Sequence, residues 1–196
     1  LRRIVSGLKC PAQVSSSIPE YFALFGFEPR FAIDREHLKK AYREVLSQVH
    51  PDRHAGANAS DADRRAAMQL ATHANEAFQV LRTDSTRAAY LCRCHGIALD
   101  GPTAALPGAF LEQQMAWREA LQQASADRDG AALADISRES ALLRASLLAR
   151  IAQAIDERAD YAEAAVAVRS LMFLDKLDSQ IDQLAAEWDL PLVASR

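Results

Sequence analysis

Glycine and proline are scarce, 7 of each in 196 residues, which excludes collagen-like and low-complexity architectures built on them. Valine, isoleucine and threonine are sparse while alanine makes up roughly a fifth of the chain, a balance that favours helix over strand. Only three cysteines occur, Cys10, Cys92 and Cys94. So few, and an odd number, build no disulfide framework, and a reducing compartment is expected. No apolar run reaches the roughly 18 residues of a spanning helix. A large excess of one sign of charge is missing too: 23 Lys and Arg stand against 26 Asp and Glu, a net charge of −3. No global field therefore draws the chain to nucleic acid or an acidic membrane. What is there is 49% hydrophobic and 25% charged, the balance of a folded globular chain of one or two small domains.

Residues 1–18 hold no acid, three bases and four serines, and are expected to form a flexible tail outside the fold. Glu20 to Phe25 makes a short apolar turn, stopped by Gly26 and Pro29. A second helix is expected over 34–49, capped by Asp34 and ended by Pro51, with Leu38, Ala41, Tyr42, Val45 and Val49 on one face. After a loop, Ser60 and Asp63 form the signature of a capping box for a helix reaching about residue 81. A shorter helix over 84–93 closes at Gly96. Two prolines and two glycines within 97–108 mark a linker and the expected domain boundary. Beyond it, helical patterns over 109–125, 131–158 and 161–188 are split by Asp127 to Gly130 and by a weak break at Ala159 and Asp160. Joints this short imply antiparallel neighbours and hence a three-helix bundle.

The chemistry concentrates at His50-Pro51-Asp52, where the second helix meets its loop. Arg35, Lys39, Arg43 and His50 lie on one stripe of that helix, with Lys40 slightly further round, so a basic ridge leads into the tripeptide. By themselves the bases read as a solvated face. No nucleophile–base pair, phosphate-cradling glycine loop or paired-acid constellation occurs, so no enzyme activity is expected. Cys92, Cys94 and His95 offer soft metal ligands within four residues, yet a closed zinc site needs a fourth. Thiols near a helix end are the simpler reading. On the first bundle helix Phe110, Gln114, Trp117 and Leu121 share a face that should enter the bundle, whereas Leu111 and Met115 fall off it beside Glu119. The latter pair fits either partner contact or edge-of-core packing.

Tyr21 to Gly26, the basic helix, His50-Pro51-Asp52-Arg53, Ala74 to Leu81, and Arg87-Ala88-Ala89-Tyr90 resemble a J-domain in order and spacing. Ala109-Phe110-Leu111, Arg118-Glu119 and Phe173 to Leu177 are similar to the bundle of HscB-type co-chaperones of iron–sulfur cluster assembly. The resemblance implies an all-α, L-shaped chain: a J-domain over 19–96, a linker over 97–108, and over 109–196 a three-helix bundle that binds a client scaffold. It implies contact with an HscA/DnaK-class ATPase chaperone through Arg35, Lys39, Lys40, Arg43, His50, Pro51, Asp52 and Arg53. There Asp52 would offer a carboxylate to a partner arginine and the ridge would meet an acidic surface. It also implies an IscU-type scaffold docked on Leu111, Met115, Glu119 and Phe173, no cofactor, no nucleic acid or membrane partner, and a cytoplasmic or mitochondrial-matrix location. Glu112, Ala116 and Gln123 depart from that family's pattern. Phe173 fits core or client contact equally, since Val166, Leu177 and Leu184 share its helix face. A different client for the same J-domain, and a metal- or cluster-binding protein using Cys92, Cys94 and His95, are the alternatives.

Overall fold

A computed structural model of the chain describes residues 20–48, 60–100 and 106–190. The tail, Cys10, Val49 and His50-Pro51-Asp52-Arg53 lie outside the described residues. Among those described there are seven α-helices and no strand: α1 (Glu20–Leu24), α2 (Arg35–Gln48), α3 (Asp61–Arg82), α4 (Asp84–Cys94), α5 (Gly108–Asp127), α6 (Gly130–Ala152) and α7 (Tyr161–Glu187).

The helix ends follow local chemistry. Asp34 caps α2 by accepting the N–H groups of Glu36 and His37 at 2.9 and 3.1 Å. Ser60 and Asp63 form the reciprocal capping box that starts α3. Gly96 takes the left-handed backbone, φ +75°, that lets the chain turn away after α4. Arg128, at φ 52°, closes α5 in the same left-handed region, and Asp129 immediately caps α6 through Ala131 and Ala132. The expected single α-helix over 131–158 departs from the observed structure at its end. Its last turn, Gln153–Glu157, widens to π-helical form, and Ala159 at φ 52° and Asp160 then redirect the chain into α7. Hydrophobic spacing scarcely changes over so short a widening, so the sequence pattern does not betray it.

α2 and α3 pack as a hairpin. Tyr42 joins them, stacking on Phe78 with ring centroids 4.2 Å apart and donating its hydroxyl to Asn75 Oδ1 at 2.7 Å. Leu38 and Ala41 are buried as the helical spacing predicts, and Tyr42 and Val45 partly so. In the bundle, α6 packs on both α5 and α7. Trp117 Nε1 donates to Glu139 on α6 at 3.0 Å. Arg144 on α6 reaches Asp175 at 2.8 Å and Asp178 at 2.7 Å on α7. Burial opposes the Arg144 charge, but these two carboxylates outweigh it and raise its pKa.

The two halves share one core. Buried residues run without interruption from Phe22 and Phe31 through Leu81 and Leu91 to Trp117, Leu171 and Leu174. The joint is α4 against α7. Small side chains are buried on each, Ala88, Ala89 and Cys92 on one and Ala164, Ala165 and Ala167 on the other, so the backbones can come close. His95 stacks on Tyr161 with centroids 3.6 Å apart, and the Cys92 thiol faces the Tyr161 carbonyl at 3.7 Å.

Candidate functional site

The basic ridge is built on α2, where Arg35, Lys39, Lys40 and Arg43 are all exposed. Among the described residues, three of the four pair with a carboxylate of the chain. Lys39 lies 2.6 Å from Glu36, Lys40 4.0 Å from Glu44, and Arg35 2.7 Å from Asp84 at the start of α4. The interleaved Glu36 and Glu44 make the face less uniformly positive than the stripe of bases implies. Exposed pairs of this kind contribute only about 0–1 kcal/mol, so the lysines exchange partners at small cost. Arg35 differs because its partner Asp84 also binds the buried Arg87.

The second candidate surface lies on the bundle. Trp117 and Leu121 are buried in the core and Phe110 is partly buried, while Leu111 and Met115 remain 46% and 65% exposed. The helical spacing therefore separated the two faces of α5 correctly. Phe173, on α7, is half-buried: its ring meets Phe110 edge-on at 5.7 Å and stacks on Trp117 at 6.3 Å. It thus belongs to the core edge and also lines a groove of about 830 Å³ between α5 and α7. Met115, Leu121, Leu177 and Leu184 supply more of the groove's apolar lining, and Arg118 and Lys176 add positive charge. The structure brings Met115 and Phe173 to this one groove. Leu111 and Glu119 stand exposed on α5 but do not line it.

Cys92, Cys94 and His95 do not converge. Cys92 is buried against Tyr161, and burial pushes its thiol up to about 11. Cys94 is exposed, and its pKa is raised by burial of the sulfur against a hydrogen bond to Tyr90 that lowers it. The His95 ring is occupied by Tyr161, with Nδ1 2.9 Å from the Leu91 carbonyl. Among the described residues no cluster of three or more His, Cys, Asp or Glu is arranged to hold a metal.

Sequence reasoning missed two polar residues at the joint. Arg87 is 3% exposed. It donates Nε to the Phe31 carbonyl at 2.7 Å and Nη1 to the Leu81 carbonyl at 2.6 Å, and pairs with Asp84. Burial lowers its pKa, opposed by Asp84. Asp156, in the π-helical turn, accepts the N–H groups of Phe31 and Ala32 across the two halves. In the sequence Arg87 stands only as the head of the Arg87-Ala88-Ala89-Tyr90 resemblance, with no role attached, and Asp156 looks like an ordinary helix-surface charge.

Comparisons with known proteins fit this geometry. The DnaJ domain model matches residues 20–90, and the model described as HSCB C-terminal oligomerisation domain matches residues 106–182. A chain that joins these two units falls in the class of J-domain co-chaperones. It belongs to the HscB family, whose role is in iron–sulfur cluster assembly. It is 46% identical over 164 residues to the co-chaperone protein HscB homolog of Bordetella avium, covering 83% of this chain and 95% of that one. The chaperone HscB from Vibrio cholerae superposes with a TM-score of 0.74 at 31% identity, over 86% of this chain and 98% of that one. The human co-chaperone HscB shares the fold, with a TM-score of 0.76 at 22% identity over 89% and 83% of the two chains. No helix among the described residues is long and apolar enough to cross a membrane.

Proposed function

We propose that this chain brings an IscU-type iron–sulfur scaffold to an HscA/DnaK-class chaperone and stimulates that chaperone's ATPase, in the cytoplasm. It performs no catalysis itself: His50, Pro51, Asp52 and Arg53, with Lys39, Lys40 and Arg43 on α2, act on the partner's site. Arg35 contributes charge to the same face while tied to Asp84. The scaffold docks on the bundle through Leu111, Met115, Glu119 and Phe173. The observation that carries this reading is the exposure of Leu111 and Met115 on α5, beside a groove whose lining includes Phe173. Large apolar side chains left outside a core that has room for Trp117 and Leu121 mark a contact surface. Complementary charge on α2 would steer the encounter with an acidic chaperone surface.

The test is steady-state ATP turnover by an HscA-class chaperone with and without purified scaffold. The wild-type chain should stimulate turnover, and scaffold should increase the effect further. His50→Gln should lose stimulation with unchanged helicity by circular dichroism. Full stimulation by the folded variant would remove the tripeptide from the mechanism.

A further inference from the structure

The bundle is closed on two of its three seams. α6 packs along both α5 and α7, whereas α5 and α7 touch each other far less. The rings of Phe110, Trp117 and Phe173 close their seam at one end. From Phe173 onward it opens into the groove of about 830 Å³. The base of that groove is apolar: Leu121 and Leu177 are buried, and Phe173 and Leu184 partly so.

Arg118 and Lys176 stand on opposite walls, one on α5 and one on α7. Trp117 donates to Glu139, and the next residue of α6, Ser140, donates to Asp178 at 2.7 Å. Residues 117 and 178 therefore share a level of the bundle, and Arg118 and Lys176 lie within about one helical turn of each other along it. Both are exposed, and neither forms an ion pair among the described residues. Their own helices cannot neutralise them. The positions three and four residues from Arg118 hold Gln114, Met115, Leu121 and Gln122, and those from Lys176 hold Met172, Phe173, Ser179 and Gln180. Asp175 and Asp178, close to Lys176 in the chain, are taken by Arg144 on α6 at 2.8 and 2.7 Å. On α2 the opposite holds, since Lys39 and Lys40 face Glu36 and Glu44. Two uncompensated positive charges beside apolar walls concentrate a field that favours an anion.

We propose that Arg118 and Lys176 clamp a carboxylate between the two walls of this groove and are specificity residues for the scaffold segment that docks there. That segment carries an Asp or Glu beside the apolar side chains that cover Met115, Phe173 and Leu177. The inference rests on the proposed function and names the chemistry of its client. Met115 and Phe173 line the same groove as the two bases, so the clamp is continuous with the apolar contact. Apolar burial supplies affinity, and the clamp selects: a segment with Lys or Arg at that place would set like charge against like. The guanidinium of Arg118 can fork onto both carboxylate oxygens, while Lys176 adds a point charge from the facing wall.

Arg118→Gln with Lys176→Gln tests this on the full chain, placing at both positions the amide that already lines the groove at Gln114, Gln122 and Gln180. Both sites are exposed, so the thermal melt should not move. Affinity for purified IscU-type scaffold, read by calorimetry, should fall about tenfold or more at low salt, the effect of losing one hydrogen bond to a charged group. The remaining binding should depend less on salt. Exposed Asp and Glu residues of the scaffold, changed one at a time to Asn and Gln, locate the partner. One such change should weaken binding to the wild-type chain by a similar factor and leave binding to the double variant unaltered. If the double variant does not fold, Arg118→Gln alone carries the same cycle. Wild-type affinity in the folded variant, or a loss that no scaffold carboxylate shares, overturns the inference and leaves the proposed function standing. A wild-type chain that binds no scaffold overturns the proposed function, and the clamp with it.

Discussion

Replacing Leu111 and Met115 together by alanine separates a docking surface from a core edge. Full burial of a leucine or methionine side chain contributes about 1.5–3 kcal/mol. With 46% of Leu111 and 65% of Met115 still exposed, a partner that covers both gains about 0.7–1.4 kcal/mol from the first and about 1–2 kcal/mol from the second. The sum, about 1.7–3.4 kcal/mol, corresponds to a loss of scaffold affinity of roughly 20- to 300-fold in the double variant. The share already buried inside the chain is smaller, so the fold should lose at most about 2–3 kcal/mol, and less where alanine keeps its own contacts. Scaffold titration by calorimetry and a thermal melt on the same preparation read the two effects side by side. A large fall in melting temperature with unchanged scaffold affinity would refute the reasoning and place the client elsewhere.

Three further outcomes follow from the same structure. Lys39→Glu with Arg43→Glu should weaken chaperone binding at low salt and flatten its salt dependence; wild-type affinity at low salt would show the ridge to be a solvated face. Arg87→Leu leaves the Phe31 and Leu81 carbonyls without their donor and should cost about 3–5 kcal/mol by urea unfolding, and a loss below about 1 kcal/mol would contradict its place in the joint. Burial raises the Cys92 thiol from 9.0 to about 11. The stability belonging to the neutral thiol is thus complete below pH 9 and lost as pH rises towards 11, and Cys92→Ala should abolish that part of the alkaline fall in unfolding midpoint.

Much of this architecture is legible in the sequence because it rests on short-range chemistry. Asp34, and Ser60 with Asp63, declare helix starts through side chains that reach their own first turn, and the structure shows both doing so. Trp117 and Leu121 against Leu111 and Met115 are separated by helical periodicity alone. The joint was hidden for the opposite reason. Glycine and proline over 97–108 announce a boundary, yet Ile97 and Leu99 pack onto the common core, and the contacts that join the halves come from residues far apart in sequence. Arg87 and Phe31 are 56 positions apart, and Phe31 and Asp156 125. Lys39 and Glu36 stand three residues apart on one helix, so their pairing is legible in the spacing. The tripeptide itself lies outside the described residues, so its role rests on sequence.

The small side chains of α4 bear on how such proteins can be recombined. A helix whose Ala88, Ala89 and Cys92 are buried in a core shared with α7 is not a free end at which one unit can be detached and another attached. Cutting within 97–108 would strip that helix of its neighbour and expose an apolar strip to water, and a J-domain taken from a free-standing protein would bring a polar strip to the same place. Exchange of the N-terminal unit among relatives therefore requires carrying α4 and the facing positions of α7 together, as a matched pair of surfaces.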